Sequence, residues 1–301
     1  MEKEPKNATT QEVHGEATEH MATPDAATAP EAGKRKKKPL WIGLAILSLC
    51  VAVFCFTLIG RNMAEQRRLD ELNQMALNAS KDQDKEIPQI VLPNKKTRVP
   101  NEKEIDFAGL IAQNEDVIGW IEVPGTKISY PLLSTVDNDY YLDHDFYHKK
   151  SSHGAIYLDI VNKPNLEDPL LVIYGHNMKD GTMFQNLHYF RDKSFFKNNK
   201  RILIYTPEGQ LEYRVFATYE RDDERILYGR DFKNPKVMRA YLDELAAVKE
   251  NDPSAFIELD GINESSSIIT LSTCVGDRDE RRRIVHGVWV RPETPENNTD
   301  D

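Results

Sequence analysis

The chain carries one long uninterrupted apolar stretch near its N-terminus. Residues 40–60 contain no charged side chain over 21 positions, and at about 1.5 Å per residue such a helix spans roughly 30 Å, the thickness of the bilayer hydrocarbon. The competing interpretation is a cleaved signal peptide, whose apolar core usually has about 7–15 residues and ends in small residues. Gly60-Arg61-Asn62 is a poor cleavage site. The pattern therefore predicts an uncleaved transmembrane anchor at residues 39–60.

The residues on either side of this anchor predict its orientation. A run of consecutive basic residues, Lys34 to Lys38, precedes it, and the basic residues after it are sparser. Because the more basic flank stays cytoplasmic, we expect residues 61–301 on the outer side of the membrane. Residues 1–38 combine the basic cluster with a stretch that has almost no large apolar residue. That composition predicts a disordered cytoplasmic tail.

Residues 61–101 have the pattern of a connecting segment. Apolar residues recur near helical spacing over residues 63–78, which indicates a short juxtamembrane helix. Residues 79–101 contain three prolines among mixed charges, and this composition indicates an extended stalk. Residues 292–301 are polar and predict a flexible C-terminal tail. The remaining residues, 102–291, are expected to form one globular domain outside the membrane.

Short runs with the composition of β-strands dominate this domain. They lie at residues 118–123, 128–133, 154–159, 169–174, 201–206, 211–219, 255–259, 267–273 and 283–290. Helical spacing is found at residues 103–114, 181–190 and 235–249, and in the last of these Asn234 is suited to cap the helix and Pro235 to begin it. Many strands with few helices predict a mainly β fold, a closed antiparallel barrel.

Charge and acidic-residue spacing remove two classes of function. The net charge is −10 over 301 residues, whereas a nucleic-acid-binding domain needs a basic face. The Asp and Glu residues are scattered without the spacing of a ligand set for a metal ion. We therefore expect no nucleic-acid partner, no metal and no cofactor.

Cysteine usage singles out one residue. Cys50 and Cys55 fall within the predicted anchor, which leaves Cys274 as the only cysteine on the predicted outer side. A lone cysteine there is buried and inert, linked to another chain, or reactive, because it has no intramolecular disulfide partner. An apolar strand precedes Cys274 and a polar loop follows it. This position at the rim of a barrel favours a reactive thiol.

A reactive thiol needs a base and a positive charge nearby. A free thiol has a pKa of about 8.5, so an imidazole partner and a cation are the usual means of activation. His176 follows directly on an apolar strand, and Arg281, Arg282 and Arg283 follow Cys274 across one loop. Alternation along a strand places Arg281 and Arg283 on one face and Arg282 on the other. Arg283 enters the regular strand, and we expect it to be the arginine directed at the thiol.

These motifs resemble those of the sortases, membrane-anchored cysteine transpeptidases of Gram-positive bacteria. The sequence TLSTC at residues 270–274 is followed nine positions later by an arginine, and YGH at residues 174–176 lies about a hundred residues upstream. The resemblance covers residues 102–291. It is similar to class B in particular, because of GWI at residues 119–121 and DYYL at residues 139–142.

The resemblance implies an eight-stranded sortase-type β-barrel with an N-terminal helix and a helix before the cysteine strand. Cys274 would be the nucleophile, His176 the acid and base, and Arg283 the residue that stabilises the acyl intermediate. The partners would be surface or pilin proteins, cleaved after Thr in a C-terminal sorting pentapeptide through a thioester, and an amine of a peptidoglycan precursor. Three further positions match those that line the groove for the sorting signal: Asn138, Ser272 and Thr273.

Two other functions stay open at this point. A pilin-polymerising sortase of class C usually has a lid with an Asp-Pro-aromatic motif, and residues 79–110 contain no Asp-Pro; a class B enzyme can nevertheless polymerise pilins. A membrane-tethered β-barrel that only binds a wall or peptide ligand would need no free thiol. Papain-like wall hydrolases fit less well, because their cysteine precedes the histidine and here His176 precedes Cys274.

Overall fold

The computed structural model describes residues 40–78, 96–276 and 278–292. The chain divides into two compact units, Met1–Cys55 and Phe56–Asp301. The predicted tail at residues 1–38, most of the predicted stalk and most of the predicted C-terminal tail lie outside the described residues. Those assignments stay predictions.

One helix, α1, runs through the predicted anchor and the predicted juxtamembrane helix. It extends over Leu40–Asn78, and its segment Gly43–Leu77 is long and apolar enough to cross a membrane, judged by length and composition. In the first unit the side chains of residues 43–55 are exposed. Gly60 does not end the helix, because a single glycine costs only about 1 kcal/mol of helix stability.

The C-terminal end of α1 packs on the domain. Leu72 and Ala76 are buried in the same apolar cluster as Trp120. The guanidinium of Arg68 lies 2.7 Å from the carboxylate of Asp145. The predicted juxtamembrane helix is therefore a packed part of the second unit.

The described residues form nine β-strands. They are β1 (Val117–Glu122), β2 (Ser129–Leu133), β3 (Ile156–Leu158), β4 (Leu170–Tyr174), β5 (Arg201–Thr206), β6 (Gly209–Asp222), β7 (Phe256–Ile257), β8 (Ile268–Val275) and β9 (Arg278–Trp289). Their order in the sheet is β5-β1-β2-β3-β4-β8-β9-β6-β7, and β5 also pairs with β6. This second pairing closes an eight-stranded barrel, to which β7 adds a short strand. The predicted closed barrel is confirmed.

Two strand pairs differ from the predicted antiparallel arrangement. β2 pairs with β3 in parallel, and β4 pairs with β8 in parallel. Parallel neighbours need long crossover connections, and here the second crossover contains β5, β6, β7, two α-helices and a 3₁₀ helix. The expectation of a wholly antiparallel barrel is wrong because runs of alternating residues carry no information about which strands become neighbours.

Three shorter α-helices and two 3₁₀ helices lie in the connections between the described strands. They are α2 (Phe107–Gln113), α3 (Lys193–Asn198), α4 (Pro235–Asn251) and the 3₁₀ helices at Tyr140–Leu142 and Gln185–Arg191. The side chain of Asn234 accepts a hydrogen bond from the backbone N–H of Lys236, as its predicted capping role requires. α4 therefore matches its prediction closely, whereas the helix predicted at residues 181–190 is a shifted 3₁₀ helix.

Candidate active site

The candidate active site lies at the edge of the barrel where β4 and β8 end together. Tyr174 is paired with Ser272 in the parallel register, and the backbone N–H of Gly175 donates to the carbonyl of Ser272 at 3.3 Å. Parallel strands end at the same edge, so His176 and Cys274 line one cleft, which opens to solvent. The sequence placed each residue at a strand end; the parallel pairing brings the two ends together.

Arg282 is the arginine that contacts the thiol. Its Nη1 atom donates to Cys274 Sγ at 3.2 Å. Cys274 and Arg282 are directly opposite each other on β8 and β9, and directly opposite residues project from the same face of a sheet. A guanidinium at this distance from the sulfur offers further N–H groups to an oxyanion that forms there.

Arg283 projects from the other face of β9, which corrects the expectation that it is directed at the thiol. It is paired in register with Glu220 of β6, and its Nη2 atom donates to the Glu220 carboxylate at 2.5 Å. Arg191 also donates to this carboxylate. Only 2% of Arg283 is exposed. Burial lowers the pKa of its guanidinium, an effect that Glu220 opposes.

A β-bulge explains the error in register. Val275 pairs with Arg278 next to the turn, yet Cys274, the residue before it, pairs with Arg282. The three residues of β9 between Arg278 and Arg282 therefore have no pairing partner on β8. The predicted alternation of the arginines is correct, but the bulge decides which face meets Cys274.

His176 is held by one ring nitrogen. Its Nε2 atom lies 2.7 Å from the carbonyl oxygen of Leu142. A carbonyl oxygen only accepts, so Nε2 carries the proton and Nδ1 is left to exchange a proton with a reacting group. No sequence signal points to Leu142, because a main-chain carbonyl is available at every position.

Gly154 makes the close packing around this imidazole possible. Its φ is +58°, and a Cβ atom at this position would lie 2.4 Å from the carbonyl oxygen of Tyr141 and 3.0 Å from Cδ2 of His176. A side chain would thus be strained by the backbone conformation and would collide with the main chain. The glycine allows the chain to pass directly beside the ring.

The three residues expected in the groove for the sorting signal all line the same cleft as Cys274: Asn138, Ser272 and Thr273. The side-chain oxygen of Asn138 accepts from the backbone N–H of Ile160 at 2.9 Å, which fixes that side chain. Thr273 is 2% exposed, and its hydroxyl has no hydrogen-bond partner among the described residues. The Asn138 side chain is therefore fixed at the cleft, whereas Thr273, which pairs with Arg283, projects from the face of β8 opposite Cys274.

Sequence reasoning missed several residues of the cleft: Leu142, Tyr157, Tyr174, Asp223, Arg225 and Arg282. Burial raises the pKa values of the Tyr157 and Tyr174 phenols, so both stay neutral. The Arg225 guanidinium lies 3.8 Å from Asp139 at the rim. Asp223 and Arg225 follow β6 in a polar segment without any distinctive motif, so only the fold places them at the cleft.

A second histidine, His188, forms a hydrogen bond with the main chain of Cys274. The Nε2 atom of His188 donates to the carbonyl oxygen of Cys274 at 3.1 Å. Burial, with a contribution from the positive charge of Arg191, lowers the pKa of His188, so the ring is neutral at pH 7. This bond joins the 3₁₀ helix at Gln185–Arg191 to the end of β8.

A thiol, an imidazole and a guanidinium on one cleft suit acyl transfer. The thiolate is the nucleophile, the imidazole moves the proton, and the guanidinium stabilises negative charge on oxygen. Among the residues that the structure describes, no group of three or more His, Cys, Asp or Glu side chains is arranged to hold a metal ion.

Comparison with known proteins gives consistent results. The family model described as "Sortase domain" matches residues 121–290. The chain is 33% identical over 196 residues to sortase B of Listeria monocytogenes, an alignment that covers 64% of this chain and 78% of that protein.

Two solved structures have similar folds. Clostridium perfringens sortase B is 31% identical with a TM-score of 0.52, and the match covers 61% of this chain and 98% of that one. A Staphylococcus aureus sortase B–substrate complex is 27% identical with a TM-score of 0.55, and the match covers 62% of this chain and 85% of that one.

Proposed function

The chain belongs to the sortase family, and we propose that it is a class B-like, membrane-anchored cysteine transpeptidase that attaches surface proteins to the cell wall. The observation that carries this proposal is the contact between Arg282 and the Cys274 thiol in a cleft that His176 also lines. A barrel that only binds a peptide would have no need for a guanidinium 3.2 Å from its single outer thiol.

The first half of the proposed reaction forms a thioester. His176 Nδ1 takes the proton of the Cys274 thiol, and the thiolate attacks the carbonyl carbon of Thr in a sorting pentapeptide. The carbonyl oxygen becomes an oxyanion beside Arg282. When the intermediate collapses, the C–N bond breaks and the leaving amine takes a proton from His176. Because the Leu142 carbonyl engages Nε2, the transferred proton is the one on Nδ1.

The second half transfers the acyl group to an amine. An amine of a peptidoglycan precursor attacks the thioester carbonyl, and His176 Nδ1 accepts the amine proton. Cys274 leaves as the thiolate and takes this proton back from Nδ1. The same guanidinium stabilises the second oxyanion. The free enzyme is restored with one peptide bond broken and one formed, so no cofactor enters the balance.

The proposed location follows from α1. The segment Gly43–Leu77 is long and apolar enough to span a membrane, and the basic cluster at residues 34–38 favours a cytoplasmic N-terminus. The catalytic domain would then face the outside, where its substrates are exposed. A protease added to intact protoplasts should remove the domain and spare an N-terminal tag.

The test uses the full chain in detergent micelles. Pentapeptides that contain Thr are incubated with the enzyme and a small amine acceptor, and mass spectrometry detects cleavage after Thr and the new amide. We expect Cys274→Ala to be folded and inactive, and a methanethiosulfonate reagent to abolish activity of the unaltered enzyme. His176→Ala should also be inactive.

Three outcomes would contradict all or part of the proposal. A Cys274→Ala enzyme that still forms the amide would exclude the thiol as nucleophile. A chain that binds sorting peptides and never cleaves them, in the presence of any amine, would favour the binding-module alternative. A product joined through a pilin lysine rather than a wall precursor amine would favour pilin polymerisation.

A further inference from the structure

His153 lies buried between two carboxylates from distant parts of the second unit. It is 1% exposed. Its Nδ1 atom contacts Oε2 of Glu65 on α1, and its Nε2 atom lies 2.8 Å from Oδ2 of Asp180. His153 therefore joins the two carboxylates through both of its ring nitrogens. We refer to these three residues as the Glu65–His153–Asp180 cluster.

Both carboxylates of the cluster accept further hydrogen bonds. Burial raises the pKa of Asp180, but hydrogen bonds from Thr182 and His153 outweigh this and lower it to about 2. Ser152 Oγ donates to Glu65 Oε2 at 3.2 Å. These additional donors help to stabilise the two carboxylates.

Asp180 connects the cluster to the segment that carries His176. The backbone N–H of Phe184 donates to the carbonyl of His176 at 2.9 Å, so residues 176–184 fold back on themselves. Asp180 lies near the tip of this loop. In addition to His153, Gln66 of α1 donates to Asp180 Oδ2 at 3.2 Å. α1 therefore holds the loop both directly and through His153.

His153 also adjoins the other wall of the His176 pocket. Gly154, the next residue, passes so close to the His176 ring that a Cβ atom would lie 3.0 Å from Cδ2. The backbone N–H of Ala155 then donates to the carbonyl of Tyr141 at 3.0 Å, one residue before the carbonyl that accepts from His176. The cluster thus holds both chain segments that adjoin the imidazole.

We propose that Glu65, His153 and Asp180 are positioning residues that hold His176 in the place and tautomer that acyl transfer requires. This inference rests on the proposed function and extends the machinery to α1. A reacting group must be held within about 0.5 Å by surrounding bonds, and the Leu142 carbonyl engages only one atom of the ring. The cluster fixes the two segments between which that ring sits.

The packing of α1 does not depend on Glu65 alone. Leu72 and Ala76 are buried about two and three turns further along the helix, and Arg68 is bonded to Asp145. Removal of the Glu65 carboxylate should therefore loosen the loop without detaching the helix. This separates a positioning role from a merely structural one.

The kinetic test compares three variants of the full chain in detergent micelles. Glu65→Ala removes the link, Glu65→Gln keeps an acceptor for His153, and Glu71→Gln makes the same change at an exposed position of α1. We expect Glu65→Ala to lower kcat about 10- to 100-fold with KM for a sorting peptide within about two-fold, since a misplacement of about 1 Å can cost 10²-fold. Glu65→Gln should recover part of kcat, and Glu71→Gln should match the unaltered enzyme.

A spectroscopic test reads the imidazole without any turnover. ¹⁵N-histidine spectra of the full chain distinguish the Nε2–H and Nδ1–H tautomers, and His176→Gln assigns the His176 signals. We expect the Nε2–H tautomer in the unaltered protein and in Glu71→Gln, and a mixture in Glu65→Ala. Asp180→Asn should give the same mixture from the other end of the cluster, and it serves as the test if Glu65→Ala does not fold.

The outcomes separate the two proposals. If Glu65→Ala and Asp180→Asn lower the melting temperature while kcat and the His176 tautomer are unchanged, the cluster is structural only and the inference is wrong. If the unaltered chain never cleaves sorting peptides but its His176 tautomer depends on Glu65, the positioning role holds and the proposed reaction fails.

Discussion

The exchange of roles between Arg282 and Arg283 is the sharpest prediction of the structure. Arg282 donates to Cys274 Sγ at 3.2 Å from a partly exposed position in the cleft. Removal of one oxyanion donor typically lowers kcat by about 10²–10³, or about 2.7–4 kcal/mol of transition-state stabilisation. We expect Arg282→Ala to lose activity to this extent with almost no change in stability. Arg282→Lys should stay weak, because one ammonium cannot reproduce the guanidinium fork.

Arg283→Ala should have the opposite profile. The side chain is buried and bonded to Glu220, but Arg191 still donates to that carboxylate in the variant. The lost packing and ion pair should therefore cost about 1–3 kcal/mol of unfolding free energy rather than the full cost of an unpaired buried charge. Turnover per folded molecule should stay within about five-fold, because Arg283 does not face the cleft.

Both quantities can be measured on the same preparations. Titration of Cys274 with a thiol reagent counts intact sites, steady-state kinetics on one sorting peptide gives kcat and KM, and denaturant unfolding gives the free energy. A fully folded Arg283→Ala enzyme without turnover, beside an Arg282→Ala enzyme with nearly normal turnover, would refute the register of β8 and β9 and restore the assignment expected from the sequence.

Two further predictions concern conformation and pH. Gly154→Ala should lower the unfolding free energy by more than about 1 kcal/mol and kcat about ten-fold. The reason is that φ is +58° and that the new methyl group meets Tyr141 and His176. Unchanged values in denaturant unfolding and in steady-state kinetics would contradict this prediction. Burial lowers the pKa of His286 to about 3, while an unfolded histidine titrates near 6.5. Between these values only the unfolded chain binds the proton, so the unfolding free energy should fall as pH decreases from about 6.5 to 3, by at most about 1.4 kcal/mol per unit. His286→Gln should remove this part of the slope in a pH series of denaturant unfolding, and an identical slope in the variant would disprove the assignment.

Local patterns predicted those parts of the fold that neighbours in sequence determine. α4 has its N-cap, its initial proline and its apolar stripe within one segment, and its observed start at Pro235 matches the prediction. The strands around the active site lie within a few residues of their expected positions because alternation and turn residues are also local. The helix expected at residues 103–114 begins only at Phe107, where Asp106 caps it. Residues 103–105 lie outside the helix and make other contacts.

The arrangement of the site depends on information that no local pattern contains. The parallel pairing of β4 with β8 joins segments about a hundred residues apart, and it is this pairing that places His176 and Cys274 on one cleft. The Leu142 carbonyl and the Glu65–His153–Asp180 cluster likewise arise from contacts between distant segments. A histidine before a glycine gives no indication in the sequence that two carboxylates will enclose it.

The arginine run illustrates the limit of pattern reasoning most clearly. Strand alternation correctly separates Arg282 from its two neighbours, since it depends only on the two-residue period. Which face meets Cys274 depends on how many residues the β8–β9 connection takes up, and one residue more or less exchanges every side chain between faces. The bulge beside Val275 makes that choice. A shift of one position in this bulge would place Arg283 at the thiol, on the exposed side, and take it away from Glu220. The bulge itself is therefore a determinant of the proposed activity.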